Sequence, residues 1–236
     1  MADTHSLALI IGSGGGLGAA LLAQLESDAS YTQAVGLSRS TEVSVDYLDE
    51  SSIAEAAESI AAVCATSGYE LRLLVVATGF LHGAAGQPER SFTQLDTAYL
   101  SHVFQVNTLG PALVMKHFLP LLPKTGRCVA GFISAKVGSI GDNALGGWYG
   151  YRASKAALNQ LVKTASIELT RRNKQSICVS LHPGTVATAL SEPFAKTGLN
   201  VRPASEAAAD LLAVLAGLNP ADTGCLIDYQ GQKLPF

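Results

Sequence analysis

Short apolar runs of strand length alternate along the chain with longer segments whose apolar residues recur every three or four positions, the pattern of βαβ units around a parallel sheet. Strands are predicted at Leu7 to Ile11, Ala34 to Ser38, Val43 to Val45, Leu71 to Ala77, Arg127 to Ser134, Ser176 to His182 and Cys225 to Asp228. These seven runs are apolar without alternation, as expected of strands covered on both faces by crossover helices. The best-marked helix is Asp49 to Thr66: Asp49-Glu50-Ser51-Ser52 supplies N-cap material, and Ile53, Ala56, Ala57, Ile60, Ala61 and Cys64 fall on one stripe. Others are predicted from about Asp96 to Leu122, Tyr149 to Arg172 and Ser205 to Leu218. No repeat, low-complexity tract or linker interrupts the series. Residues 1–236 are therefore expected to form one α/β domain, a seven-stranded parallel sheet with helices on both faces.

Composition sharpens this reading. Hydrophobic residues make up 48% of the 236 and charged residues 15%, against about 25% charged in a typical domain. That is ample material for a large core and argues against disorder. A net charge of -3 with no basic block makes nucleic acid a poor partner. The longest purely apolar runs, such as Leu7 to Ile11 and Leu73 to Ala77, are far too short to span a bilayer. Met1 to Ser6 carries no Lys or Arg and the following apolar run breaks at Gly12, so no export signal is expected. Cys64, Cys128, Cys178 and Cys225 show no metal-like spacing. Reduced thiols in a cytoplasmic protein are the expectation.

Between the first strand and the first helix stands Gly12-Ser13-Gly14-Gly15-Gly16-Leu17-Gly18. Glycines there permit positive φ and close approach of a ligand, and a helix N-terminus offers unpaired N–H groups to an anion. A dinucleotide pyrophosphate suits that environment, although Leu17 replaces the third glycine of GxGxxG and the spacing is GxxxGxG at Gly12, Gly16 and Gly18. At the end of the second strand an NAD-binding protein would place a carboxylate on the ribose. Here Leu37-Ser38-Arg39-Ser40 offers a guanidinium and hydroxyls instead, which favours NADP(H) over NAD(H).

Tyr151 and Lys155 stand four apart at the start of a predicted helix, on one face. A phenol is a poor acid or base at neutral pH, and an adjacent ammonium is expected to bring it toward the working range. Tyr149 has Ala153 at the same spacing and lacks that partner.

Taken together these motifs resemble the short-chain dehydrogenase/reductase family along essentially the whole chain. The glycine loop matches TGxxxGxG with Ile11 in place of Thr, Tyr151 to Lys155 is YxxxK, and Pro183-Gly184-Thr185-Val186-Ala187-Thr188 resembles PGxVxT. The resemblance implies a single-domain Rossmann fold and cofactor contacts from Gly12, Ser13, Gly16, Leu17, Gly18, Ser38, Arg39, Asp46, Ala77, Thr78, Gly79, Tyr151, Lys155, Pro183, Gly184, Val186 and Thr188. It implies that Asn107 helps hold a proton relay through water and Lys155. Gly138-Ser139-Ile140, Gly146-Gly147-Trp148-Tyr149 and Asp228-Tyr229-Gln230-Gly231 are similar to the carbonyl-reductase subgroup that includes C-factor and sniffer proteins. That likeness implies reduction of aldehydes, ketones or quinones by a homodimer or homotetramer.

Two departures stand out. The NNAG segment reads Val76-Ala77-Thr78-Gly79, and SSxxG reads Ser134-Ala135-Lys136-Val137-Gly138, so Ala135 occupies the place of the catalytic Ser. Ser139, beyond a glycine that allows a sharp turn, is the favoured replacement, with Ser134, a backbone group or Tyr151 alone as alternatives. Hydride transfer from NADPH to a small-molecule carbonyl, with Tyr151 as general acid and Lys155 supporting it, is the implied reaction. The rival is a binding or signalling module that keeps the fold and loses the chemistry. Five His residues show no metal spacing, and no Gly-x-Ser-x-Gly elbow supports a hydrolase. The stretch from Ala189 to Pro203, with Pro193, Phe194 and Gly198, is short and points to a small or open substrate pocket, which Trp148 could line.

Overall fold

All six residues of the first strand are buried, and they alternate between two separate cores. In the computed structural model, which describes residues 5–194 and 201–236, Leu7, Leu9 and Ile11 of β1 (Ser6–Ile11) face one core and Ala8 and Ile10 the other. A strand buried on both faces has no room for polar alternation, which explains the continuous apolar run.

The chain runs β1, α1 (Gly16–Ser27), β2 (Gln33–Leu37), α2 (Glu50–Ser67), β3 (Glu70–Val76), α3 (Thr97–Phe104) and α4 (Gly110–Phe118). It continues with β4 (Cys128–Ile133), α5 (Tyr149–Arg172), β5 (Ser176–His182), β6 (Thr185–Val186), β7 (Val201–Arg202), α6 (Ala204–Gly217), β8 (Leu226–Asp228) and β9 (Lys233–Leu234). The main sheet has the order β2-β1-β3-β4-β5-β8-β9, and β6 pairs β7 in a small ribbon. Residues of α2, α4 and α5 cover one face, with Ile53, Phe118 and Leu158 in its core; α1 and α6 cover the other through Leu21, Leu25 and Leu211. The chain leaves β1 toward β2 on one side and returns to β3 on the other, so a crevice opens beyond the carboxyl ends of β1 and β3.

Three expectations are corrected. Val43 to Val45 does not form a strand: only the bridge between Ser38 and Ser44 survives. Side chains there compete with the ladder, since Ser38 N–H donates to Thr41 Oγ1 at 2.8 Å and the Thr41 hydroxyl to Val43 O at 2.8 Å. The seventh strand is instead β9, and it runs antiparallel to β8. Asp228 Oδ1 accepts from Gln230 N–H at 3.0 Å and Gln232 N–H at 2.8 Å, which folds the turn between them.

The third correction concerns the segment from Asp96 to Leu122, which is not one helix. Between α3 and α4 a π turn spans Gln105–Leu109. Pro111 has no N–H to offer the carbonyl of Asn107, four residues earlier, and the helix widens there. Asn107 sits on that turn, fully buried.

Candidate active site

The glycine loop, the segment Ala77 to Gly79, the segment Ser134 to Gly138 and the Pro183 loop each leave a strand at the carboxyl edge of the sheet, while Asn107 and the Tyr151–Lys155 pair sit on helices. After β1 the chain turns at Gly12, whose φ of 95° suits glycine, and Gly12 N–H donates to Leu37 O of β2 at 2.8 Å. Gly18 serves packing: a β-carbon there would stand 2.1 Å from Gly12 O. The first helix thus lies directly on the loop. Its N-cap residue, Gly15, offers no side chain to the helix N–H groups and the first turn holds no acid. Those N–H groups are free for an anion.

Two clefts meet at Gly15, Ala77, Thr78 and Gly79. The first, about 630 Å³, is bordered by Gly12, Ser38, Arg39, Asp46, Tyr47 and His102 among others. The second, about 430 Å³ and mostly apolar, is bordered by Gly16, Leu17, Tyr151, Lys155, Pro183, Gly184, Val186 and Thr188 together with Leu81, Ala135, Trp148, Leu190 and Phe194. Combined they give an elongated groove from Arg39 to Tyr151, of the size an extended dinucleotide plus a small substrate needs. The donor set fits that cofactor: a helix N-terminus midway, a guanidinium at one end and a buried ammonium at the other.

Tyr151 and Lys155 lie on the first two turns of α5, both buried. Burial pushes the Tyr151 phenol up to about 12 and pulls the Lys155 ammonium down to about 7. The expected lowering of the phenol is therefore corrected. Lys155 Nζ stands 5.8 Å from the Tyr151 ring centroid and donates to Ile133 O at 2.9 Å; burial is the cause of both shifts. At neutral pH Tyr151 is a protonated phenol, able to donate.

Asn107 stands behind the groove rather than in its wall. Its Oδ1 accepts from Phe80 N–H at 2.8 Å, and its Nδ2 donates to Phe80 O at 2.8 Å and to Ser154 Oγ at 3.1 Å. A β-carbon at Gly79 would lie 3.6 Å from Lys155 Nζ and 3.7 Å from Asn107 Oδ1, so these groups converge on one point. Thr78, in the altered NNAG segment, donates its hydroxyl to Tyr47 OH at 2.9 Å, an anchor that no motif announced.

Ser139 does not border the second cleft, contrary to expectation. It is buried, its N–H donates to Lys136 O at 2.9 Å, and its hydroxyl accepts from Asp142 N–H at 3.1 Å. Ser134 borders the cleft, yet its hydroxyl donates to Asn159 Oδ1 on α5 at 2.7 Å. Ala135 packs with Leu81 and Tyr151 at the position a Ser would hold. Ser13 is likewise turned aside: its β-carbon lies against Gly36 of β2, where any larger residue would meet it at 2.7 Å.

Aromatic side chains wall the second cleft. Trp148 meets Tyr151 edge-on at 6.1 Å and Phe194 at 5.1 Å, and His82 meets Phe194 at 5.3 Å. His82 Nε2 stands 3.0 Å from Ala189 O, which joins the loop after β3 to the one after β6. Gly198, part of the expected substrate stretch, lies outside the described residues. The imidazole of His182, whose Nδ1 has no hydrogen-bond partner among the described residues, is driven down to about 4 by burial and stays neutral.

Residues 17–211 match the short-chain dehydrogenase family described as Enoyl-(Acyl carrier protein) reductase. The chain belongs to the short-chain dehydrogenase/reductase family. As a member it is an oxidoreductase of the NAD(P)-binding class. The C-signal protein of Myxococcus xanthus is 37% identical over 142 residues, 60% of this chain and 81% of its own length. Carbonyl reductase Sniffer of D. melanogaster superposes with a TM-score of 0.84 at 24% identity, covering 98% of this chain and 99% of that one. The NADPH-bound carbonyl reductase from chicken fatty liver gives 0.83 at 23% identity, over 98% and 94%. At those identities the two reductases attest to the fold. Among the described residues no helix is long and apolar enough to cross a membrane, and no cluster of three or more metal-ligating side chains occurs.

Proposed function

We propose that this dehydrogenase/reductase reduces a small aldehyde or ketone with NADPH, Tyr151 serving as general acid. The observation that carries the reading is a buried phenol in an apolar cleft that shares Gly15, Ala77, Thr78 and Gly79 with the cleft along the glycine loop. NADPH, when bound, supplies the hydride. Gly12 to Gly18 and the start of α1 hold its pyrophosphate, and Ser38 and Arg39 hold the phosphate that distinguishes it from NADH. Asp46, Ala77, Thr78 and Gly79 border the adenosine side; Pro183, Gly184, Val186 and Thr188 border the nicotinamide side. The NADPH-bound reductase with the same fold supports the cofactor choice.

Tyr151 donates its phenolic proton to the oxygen of the substrate carbonyl as that oxygen gains charge. An alkoxide is far more basic than a phenolate, so even a phenol with a pKa near 12 transfers its proton downhill. Lys155 then stands beside the phenolate and stabilises it until a proton returns. Asn107 fixes Phe80 and Ser154 and so places α5 against the loop that carries Gly79. With Ala135 in the wall and both nearby Ser hydroxyls engaged, Tyr151 is the substrate oxygen's principal donor.

The reading also places the protein in the cytoplasm as a homodimer or homotetramer, with half-exposed Leu109 on the π turn and Ile167 on α5 as the pairing surface and free thiols suited to a reducing compartment. The test is NADPH consumption with a panel of aldehydes, ketones and quinones. Turnover in the wild type that disappears in Tyr151→Phe, with NADPH affinity retained, is the expected result. Tight NADPH binding with no oxidation across the panel overturns it and favours a nucleotide-responsive binding module.

A further inference from the structure

Helix α5 begins without a side-chain cap. The residue before Tyr149 is Trp148, whose indole has no acceptor to offer the first N–H groups. Glu89, sixty-one residues away from Gly150 in the chain, takes that role. Both its carboxylate oxygens accept from Gly150 N–H at 3.2 Å, and its backbone carbonyl accepts from Trp148 N–H at 2.5 Å. The Glu89 side chain is buried, and among the described residues no Lys or Arg pairs with it. The positive end of α5 is what balances it.

Local geometry is fitted to this contact. A β-carbon at Gly150 would lie 3.1 Å from Glu89 Oε1 and 2.9 Å from Leu100 Cδ2, so a larger residue there would crowd the carboxylate's seat. Gly83 and Gly86 exchange backbone bonds of 3.0 and 3.1 Å, closing a tight turn, and a β-carbon at Gly86 would meet the Tyr99 ring at 2.7 Å. That turn, packed on Tyr99, delivers Glu89 to the helix. Trp148 is the one non-glycine residue with positive φ among the described residues, at 53°. Such a conformation persists only where the surroundings fix it, and the Glu89 carbonyl is its direct restraint.

We infer that Glu89 is a positioning residue for the active site: by holding Trp148 N–H and Gly150 N–H together it sets the first turn of α5, and with it the seat of the Tyr151 hydroxyl and the angle of the Trp148 wall. The inference rests on the reading of Tyr151 as the acid. Misplacement of a reacting group by a fraction of an ångström costs turnover much more than cofactor affinity.

Trp148 is the chain's only tryptophan, so its emission reports this turn directly. Glu89→Gln keeps one acceptor and the shape but removes the charge; Glu89→Ala removes both. In Glu89→Gln, kcat with NADPH and 4-nitrobenzaldehyde is expected to fall about tenfold, with the NADPH dissociation constant and the melting temperature little changed and Trp148 emission shifted to the red. Glu89→Ala lowers kcat further and shifts the emission further, and Glu89→Asp stands in if that variant does not fold. Wild-type kcat and wild-type emission in Glu89→Gln overturn the inference, as does a loss of kcat matched by an equal loss of NADPH affinity. Tyr151→Phe separates the failures. If it is inactive while Glu89→Gln is normal, only the Glu89 assignment falls; if it is active, the acid assignment and the inference fall together. Should the wild type not turn over, the carbonyl-reduction reading falls and Trp148 emission alone decides whether Glu89 sets the turn.

Discussion

Asn107 on the π turn donates to the Ser154 hydroxyl on α5 across 3.1 Å, and Ser154 Oγ in turn donates to Tyr151 O at 2.8 Å. The loop after β3, the widened helix and α5 are thereby one hydrogen-bonded unit, because Asn107 also satisfies both backbone groups of Phe80. Asn107→Ala leaves the part-buried Phe80 N–H and Phe80 O without their partner and removes the donor to the buried Ser154 hydroxyl. A loss of about 3 kcal/mol in unfolding free energy is expected, read by urea denaturation, together with reduced turnover. Asn107→Asp retains the acceptor for Phe80 N–H but, ionised, cannot donate to Phe80 O, so it is expected to recover little.

Lys155 and Tyr151 set opposite pH slopes on stability. The buried Lys155 ammonium titrates near 7, below its ordinary 10.5, so between those values the unfolded chain binds more protons and stability rises with pH. Tyr151 titrates near 12, above its ordinary 10.0; between those values the folded chain binds more protons and stability falls. Without bound cofactor, Lys155→Met is expected to raise the melting temperature at pH 6 relative to wild type and to lose that advantage by pH 10, while abolishing turnover. A difference that does not change between the two pH values would mean the ammonium is not destabilised by burial.

What could be read from the chain depended on whether a feature is local. The strands of the main sheet through β5 and the limits of α5 follow from apolar runs and periodicity, and the glycine loop follows from residues adjacent in sequence. Val43 to Val45 misled because Ser38 and Thr41 bond their own backbone, an effect that hydrophobic pattern does not register. Pro111 was a visible cue to the break in the long helix, since it deletes the donor to Asn107. Glu89, His82 and the Tyr47–Thr78 bond carry no motif, as their roles arise from contacts across 61, 107 and 31 positions. Ser139 was misread for a different, local reason: its hydroxyl is engaged by Asp142 N–H three residues on, a turn contact that the glycine before it does not announce.

Ala135 lies against Tyr151 and Leu81 with room for a hydroxyl facing the cleft. Ala135→Ser adds a second donor toward the substrate oxygen that Tyr151 serves. One well-placed donor of this type is worth a factor of about ten or more in kcat, so a gain of that order is expected with the most reactive aldehyde of the panel, and NADPH affinity should not change. An unchanged or lower kcat would show that Tyr151 and the aromatic wall already position the carbonyl without a second donor.

The proposed preference for NADPH rests on Arg39. It borders the first cleft beside Ser38 and Ser40, whose hydroxyls lie 3.0 Å apart, and no carboxylate stands at the end of β2 to engage a free ribose hydroxyl. A guanidinium there binds a phosphate dianion through charge-assisted bonds that an unphosphorylated ribose cannot form. Arg39→Ala is therefore expected to weaken NADPH binding by about tenfold or more while leaving NADH nearly unchanged, and Arg39→Asp should go further and invert the preference by repelling the phosphate and accepting from the ribose. The two dissociation constants, measured by quenching of Trp148 emission at low and at high salt, check this. The wild-type preference should shrink as salt rises, because the interaction it rests on is screened; equal losses for both cofactors, or none, would leave Arg39 a solvated loop charge and return the choice of cofactor to Ser38 and Ser40.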